Sequence, residues 1–220
     1  MIKLEDNKHA FWQAFIVALI IFWTGIMLGI WFESSRTTKL DDIYTKSETD
    51  IFDIELESDI LKMSYFDCDI AMQANINFAE QIYEEAKKLE KYDSSNKITE
   101  DVAELHRRYD LLRTMLWVNT IEFKKLCPDK TNSVVYLYQY TEPGIETQAK
   151  QITFSKVLLD LKKKYREKII LIPIASDAKI KSLDLLKHKY NITVNPVVII
   201  NEKYIISKLS SLEELEKYIV

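Results

Sequence analysis

The stretch VVYLYQYTEPGIETQAKQ, residues 134–151, changes from a strand pattern to a helix pattern across a short turn. Residues 134–138 are apolar and rich in β-branched and aromatic side chains, as buried strands are. Pro143 and Gly144 mark a turn, and residues 146–165 have apolar side chains at helical spacing. This stretch therefore predicts a strand that enters a helix through a short turn, and the elements around it can be assigned from there.

The elements after this stretch complete a small α/β unit. Residues 169–174 form a continuous apolar run, as expected of a strand covered on both faces, and residues 180–190 predict a helix. Residues 197–200 and 204–206 flank the sequence NEK and predict a hairpin. Ser211 and Glu214 have the spacing of a capping box, which predicts a last helix that runs to residue 219. The predicted order is β-α-β-α-β-β-α, and Asn195-Pro196 enters the third strand.

This order, with a proline directly before the third strand, resembles the thioredoxin fold. The segment NITVNPVVIINEKY, residues 191–204, resembles the part of a thioredoxin in which that proline is cis and lies beside the active turn. The layout of the whole chain resembles membrane-anchored thioredoxin-like proteins of small-genome archaea. The resemblance covers residues 133–220 and implies a thioredoxin-like α/β domain with a mixed four-stranded sheet.

The turn that carries the chemistry of such proteins is degenerate here. The family has Cys-x-x-Cys-x-x-Gln after the first strand, and placing Gln148 on its glutamine puts Glu142 and Ile145 on the two cysteines. Pro143 and Gly144 lie between them. Thiol–disulfide exchange requires a thiolate that attacks sulfur, so this turn predicts a protein that is not an enzyme.

Peptide binding is a function that could remain without the thiols. In the thioredoxin fold the segment before the proline pairs its main chain with an extended peptide, so Val194, Asn195 and Pro196 are the candidate binding residues. The alternative is a turn that serves only the fold. Residues 191–193, Asn-Ile-Thr, also match an N-glycosylation sequence.

An apolar run near the N-terminus predicts a membrane anchor. Residues 11–32, FWQAFIVALIIFWTGIMLGIWF, contain only Gln13 and Thr24 as polar side chains. As a helix the run would be about 33 Å long, enough to cross a hydrocarbon core of about 30 Å. Trp31-Phe32-Glu33 does not resemble the small-residue cleavage site of a signal peptide. We therefore expect an uncleaved signal-anchor in the lipid bilayer, with a buried core helix as the alternative. A short tail, residues 1–10, precedes it, and a linker, residues 33–46, follows.

The orientation of this anchor follows from charge and redox arguments. Positive side chains flank the run almost equally, because Lys3 and Lys8 precede it and Arg36, Lys39 and Lys46 follow it. We expect a cytoplasmic N-terminus and an extracytoplasmic C-terminal domain in a single-pass protein of the cell membrane, partly because paired cysteines suit an oxidising space.

Small side chains on one face of the anchor suggest self-association. Such residues let two membrane helices approach closely, so a homodimer is one interpretation and ordinary membrane-helix composition is the other. The residues concerned are Ala14, Ala18, Gly25 and Gly29.

Residues 47–127 predict an antiparallel helical hairpin. They contain no glycine or proline, and two apolar seams step alternately by four and three residues, the pattern of a coiled coil. The first seam is Leu61, Tyr65, Cys68, Met72, Asn75, Ala79, Ile82, Ala86 and Leu89. The second is Ile98, Val102, Leu105, Tyr109, Leu112, Leu116, Asn119, Phe123 and Leu126. His106, Arg107 and Arg108 fall outside the second seam, on a face that we expect to be solvated.

The register of this hairpin brings the two cysteines together. Pairing residues whose numbers sum to about 194 sets Asn75 opposite Asn119, the one polar residue of each seam, and sets Cys68 level with Leu126 and Cys127. The sequence therefore predicts a disulfide that closes the open end, provided that Cys127 turns inward where Pro128 stops the helix. Two buried free thiols are the alternative, and a catalytic pair lacks any activating neighbour in the sequence.

Composition excludes several other classes of function. A net charge of −4 argues against nucleic-acid binding. Three glycines leave no room for a phosphate-binding loop. Three histidines and two cysteines show no metal-ligand spacing, so neither a metal nor another cofactor is expected.

Three functions are consistent with these patterns. The first is a membrane-anchored, redox-inactive binding or scaffold module for a protein or peptide partner. The second is a thiol–disulfide oxidoreductase that uses Cys68 and Cys127, and the third is a purely structural membrane coiled-coil protein. Catalytic cysteines should lie near the Asn195-Pro196 loop, whereas the register places these at the base of the hairpin, which favours the first function.

Overall fold

A computed structural model of the chain describes residues 11–32, 52–53, 56, 59–60, 67–93, 100–128 and 130–219. The predicted tail and linker lie outside these residues, as do Leu61 and Tyr65 of the first seam, Ile98 of the second seam and residues 94–97 between the two seams. The chain divides into two compact units, Met1–Asp53 and Ile54–Val220. The first unit contains helix α1, Phe11–Phe32, whose length and apolar composition are sufficient to cross a membrane, although a signal sequence would meet the same test.

The second unit contains two long helices followed by the predicted α/β elements. In chain order these are α2 (Cys68–Asp93), α3 (Glu100–Leu126), β1 (Asn132–Tyr138), α4 (Ile145–Tyr165), a 3-10 turn (Arg166–Lys168), β2 (Ile169–Ala175), α5 (Lys181–Lys189), β3 (Val197–Ile200), β4 (Tyr204–Ile206) and α6 (Leu212–Glu216).

The four strands form one mixed sheet, which confirms the predicted α/β class. The strand order is β2-β1-β3-β4. Strand β1 is parallel to β2 and antiparallel to β3, and β3 is antiparallel to β4. Strand β2 is an edge strand and tolerates Pro173, which lacks a main-chain donor. Strands β3 and β4 have the predicted bounds, whereas α6 ends at Glu216 instead of residue 219.

One face of the sheet is covered by α4 and α6. These helices contribute buried apolar side chains to a core shared with β1, β2 and β3: Phe154, Leu158, Leu161 and Leu215 from the helices, with Val134, Tyr136, Ile169, Val198 and Ile200 from the strands. The predicted capping box opens α6, since the Ser211 hydroxyl accepts from the Glu214 amide and the Glu214 carboxylate accepts from the Ser211 amide. Both reciprocal bonds satisfy main-chain donors that a helix start leaves unpaired.

A disulfide joins Cys68, at the start of α2, to Cys127, directly after α3. Their Cα atoms are 5.8 Å apart, within the range that a bridge requires. Because α3 ends at Leu126, Cys127 takes the inner position and Leu126, which the seam had placed inside, is 65% exposed. The bridge links residues separated by 59 positions. In the chain-entropy model, a loop of this length corresponds to stabilisation on the order of 4 kcal/mol.

The packing around the bridge agrees with the predicted register. Ala71 and Phe123, whose numbers sum to 194, lie in one buried cluster with Cys127. Asn75 is buried, and its amide nitrogen donates to the Ala71 carbonyl at 3.1 Å. Asn119 is half-buried, and the contact between the two asparagines stays a prediction.

Helix α3 has a second buried face, which packs against β2, β1 and α5. This face is largely polar: Asp110, Thr114, Trp117 and Thr120 are all buried. The Thr114 hydroxyl donates to the Asp110 carbonyl and the Thr120 hydroxyl to the Leu116 carbonyl, both at 2.7 Å. Because each hydroxyl finds its partner one turn back in its own helix, it can be buried against the sheet without a further acceptor.

The C-terminal part of α3 joins the β3–β4 turn through a half-buried polar network. Lys124 donates to the Asn201 side-chain oxygen at 2.7 Å and forms an ion pair with Glu202 at 3.3 Å. The Ser133 hydroxyl and the Trp117 indole also donate to Glu202, at 2.6 and 3.3 Å. The Glu202 carboxylate thus receives donors from α3 and β1, and it holds the helix against the amino end of β1.

We predict that Glu202→Ala lowers the free energy of unfolding by about 3 kcal/mol, because it removes one partner of a largely desolvated ion pair. Urea titration of the full chain in detergent, followed by circular dichroism, measures this change. The matched control is Asp160→Ala, which breaks an exposed pair with Lys163 and should change stability little. Equal effects of the two substitutions would contradict the assigned role of Glu202.

Candidate functional site

Three loops meet at the carboxyl end of β1. Strands β1 and β2 are parallel and therefore end on the same side of the sheet. Strand β3 is antiparallel to β1 and begins there, since Val197 pairs with Leu137. The loops of residues 139–144, 176–180 and 193–196 consequently share one edge, which we call the carboxyl edge.

The loop after β1 is fixed by two side chains from neighbouring elements. Gln151 of α4 accepts from the Gln139 amide at 2.9 Å and donates to the Gln139 carbonyl at 3.0 Å. Asp177, which follows β2, accepts from the amides of Tyr140 and Thr141 at 2.9 and 2.8 Å. Hydrogen bonds from the side chains of Gln151 and Asp177 to the main chain of the loop thus hold it in place. These bonds do not involve the side chains of residues 142–145.

The degenerate turn presents a charge and an apolar side chain to solvent. Glu142 is exposed and has a φ of 43°, a left-handed conformation uncommon for a residue other than glycine. Pro143 is half-buried, and Gly144 is the N-cap of α4 without a side-chain capping bond. Ile145 is 90% exposed. None of the four residues has a thiol, a general base in a buried setting or a metal-ligand partner.

The predicted binding segment lies on the adjacent loop. The peptide bond between Asn195 and Pro196 is cis, and Pro196 is buried while Val194 and Asn195 are exposed. In the part of the chain that the structure describes, the main-chain groups of Val194 and Asn195 make no hydrogen bond. They are therefore available to a strand-like partner.

Helix α3 also reaches the carboxyl edge, which the sequence pattern did not indicate. His106, assigned from the pattern to a solvated face, is half-buried, and its ring lies 4.6 Å from the ring of Tyr140. One turn further, Asp110 accepts from the Ala175 amide at 3.2 Å and pairs with Arg113 at 3.1 Å. The Ser176 amide donates to the Tyr138 carbonyl of β1. Because successive amides of a strand point in opposite directions, the Ala175 amide points away from β1. Asp110 accepts the hydrogen bond of this amide.

Burial sets the protonation behaviour of Asp110. Desolvation raises the pKa of this carboxyl above its ordinary value of 3.8, although the Arg113 guanidinium and the Ala175 amide both lower it. Its position is therefore that of a buried acid beside the loop after β1. An aspartate three residues before an arginine is a common pattern on helix surfaces, so no sequence pattern indicated this role for Asp110.

The disulfide lies at the opposite end of β1 from the degenerate turn. Cys127 precedes the first residue of β1, and the turn follows the last. The seven residues of β1 extend roughly 20 Å. A substrate bound at the carboxyl edge would therefore be far from either sulfur. Among the described residues, no group of three or more His, Cys, Asp or Glu side chains could hold a metal ion.

The chain matches no protein-family model and no curated protein. Among solved structures it is similar to one described as the structure of a malarial protein, with 21% sequence identity and a TM-score of 0.32. That similarity covers 41% of this chain and 99% of the other. A TM-score of this size does not support a functional assignment.

We predict that wild-type stability falls relative to Asp110→Asn as the pH rises above 3.8. The folded pKa of Asp110 lies above its unfolded value, so its contribution is fully present below the unfolded pKa and is lost as the pH rises through the folded pKa. The asparagine retains an oxygen that can accept from Ala175. Urea titrations of both proteins between pH 3.5 and about pH 7, the range in which shifted carboxyls titrate, measure the difference. A wild-type advantage that grows with pH would show that the Arg113 ion pair outweighs burial.

Proposed function

We propose that this protein is a membrane-anchored, redox-inactive module of the thioredoxin fold that binds an extended segment of a protein or peptide partner. The partner would pair with the main chain of Val194 and Asn195 at the carboxyl edge. Helix α1 would anchor the chain in the bilayer, with the N-terminus in the cytoplasm and the second unit outside it.

The strand connectivity supports the thioredoxin fold in this proposal. A parallel β1–β2 pair joined through α4, followed by the antiparallel strands β3 and β4 and a last helix, is the arrangement that the sequence resemblance implies. The placement of Asn195-Pro196 directly before β3, level with the end of β1, is consistent with it as well.

The observation that carries the binding function is the free main chain of Val194. Its side chain is 53% exposed, and its amide and carbonyl have no hydrogen-bond partner among the described residues. An extended peptide laid against this segment would gain main-chain hydrogen bonds, and the exposed side chain of Ile145 would offer it an apolar contact. The Cys68–Cys127 bridge supports the extracytoplasmic orientation, because structural disulfides persist in oxidising spaces.

We predict that Val194→Pro weakens peptide binding about tenfold, because it removes one main-chain donor, worth about 1.4 kcal/mol. Random decapeptides displayed on phage are selected against the full chain in lipid nanodiscs, and the affinity of the consensus peptide is measured by fluorescence anisotropy. Val194→Ala is the matched control, since it trims the side chain and keeps the amide, and it should bind within about threefold of wild type.

Two outcomes would contradict this binding mode. Equal affinity of the proline and alanine variants would show that the main chain of residue 194 takes no part. Failure to select any peptide would remove the proposed function itself. Circular dichroism and the urea midpoint of each variant establish that the fold is retained.

We further predict that the purified chain does not accelerate insulin reduction by dithiothreitol above background, because the turn has no thiol and the bridge lies at the other end of β1. A thioredoxin with an intact Cys-x-x-Cys turn serves as the positive control. Turnover by the wild-type chain that disappears in Cys68→Ser would establish the oxidoreductase function in place of the binding function.

A further inference from the structure

We propose that Asn191 is an N-glycosylation site, modified on the extracytoplasmic side by an oligosaccharide. The chain contains one Asn-x-Ser/Thr sequence in which the middle residue is not proline, and this is Asn191-Ile192-Thr193. The proposal rests on the extracytoplasmic orientation of the second unit and is independent of peptide binding.

The local structure exposes the two side chains that such a modification requires. Asn191 follows Tyr190, the C-cap of α5, and has a φ of 52°, a conformation that asparagine tolerates better than most residues. Ile192 is 9% exposed and anchors the turn, whereas its neighbours Asn191 and Thr193 are both exposed. The buried isoleucine thus directs the acceptor amide and the hydroxyl to solvent on either side of it.

The acceptor amide is also free of competing bonds. The main chain of the turn is fixed, since the Asn191 amide donates to the His188 carbonyl at 3.2 Å and the Ile192 amide to the Lys187 carbonyl at 2.9 Å. Within the described residues, the side chain of Asn191 makes no hydrogen bond. Asn201, by contrast, uses its side-chain amide to bond Asn132 and Tyr218. A glycan on Asn191 would therefore break no hydrogen bond between the described residues.

The modification is a group transfer without a redox change. The co-reactant is a lipid-linked oligosaccharide, whose reducing-end sugar is joined at C1 to a lipid phosphate or diphosphate. The side-chain nitrogen of Asn191 forms a bond to C1, the bond from C1 to the phosphate oxygen breaks, and the lipid phosphate leaves. One amide proton is lost to a base of the membrane transferase that catalyses the transfer. The product keeps the amide and adds bulk and solubility to an exposed turn.

The test is translation of the full chain in the presence of endoplasmic-reticulum microsomes. We expect one mobility shift that peptide N-glycosidase removes. Asn191→Gln and Thr193→Val should abolish the shift, whereas Thr193→Ser should retain it because serine keeps the hydroxyl. A shift that persists in Asn191→Gln would place the glycan elsewhere and overturn the assignment.

A reporter variant distinguishes a poor acceptor from a wrong orientation. Lys208 is exposed between β4 and α6, and Lys208→Asn creates an acceptor sequence with Leu209 and Ser210. This substitution in the Asn191→Gln background should restore the shift. Modification of the reporter without modification of the wild-type chain would show that Asn191 is not an acceptor. Absence of any shift in both would show that the second unit stays in the cytoplasm, which overturns the proposal together with the orientation and leaves peptide binding to its own test.

Discussion

The docking of α3 on the sheet depends on two polar side chains, one near the middle of the helix and one near its C-terminal end. Asp110 bonds the free amide of Ala175 beside the carboxyl edge, and Lys124 pairs with Glu202 at the amino end of β1. About four helical turns, roughly 21 Å, separate the two anchors, and the seven residues of β1 cover a similar length. The stretch of α3 between Asp110 and Lys124 therefore runs along the length of β1, and the two contacts together fix its position on the sheet.

Two of the stabilising contacts lie away from the candidate site. The disulfide and the Lys124–Glu202 network lie toward the amino end of β1, where they hold the two long helices and the β3–β4 turn together. At the carboxyl edge, Gln151 and Asp177 hold the loop after β1, but Ile145 and Val194 are exposed, and Val194 has no main-chain partner among the described residues. A partner could therefore bind at this edge without disturbing the contacts that stabilise the unit.

The sequence predicted those parts of the fold that depend on apolar periodicity and on local capping. The bounds of β3 and β4, the capping box at Ser211 and the proximity of Cys68 and Cys127 follow from such patterns. The second buried face of α3 did not, because Asp110 and Thr114 are residues that a periodicity analysis assigns to solvent. They can be buried because the Thr114 hydroxyl donates to a carbonyl of its own helix and the Asp110 carboxylate accepts from the Ala175 amide of β2. The second of these partners is distant in the chain and is found only in the tertiary structure.

The same limit applies to the candidate site. The absence of sulfur at Glu142 and Ile145 could be established from the sequence, since it depends only on residue identity. The support of the loop could not, because Gln151 and Asp177 act on main-chain groups of residues that are distant in the chain. These two side chains hold the loop in its conformation without any help from the turn. They give the carboxyl edge a defined shape, and an edge with a defined shape and main-chain groups that are unbonded among the described residues meets the physical requirements of the proposed binding of an extended chain.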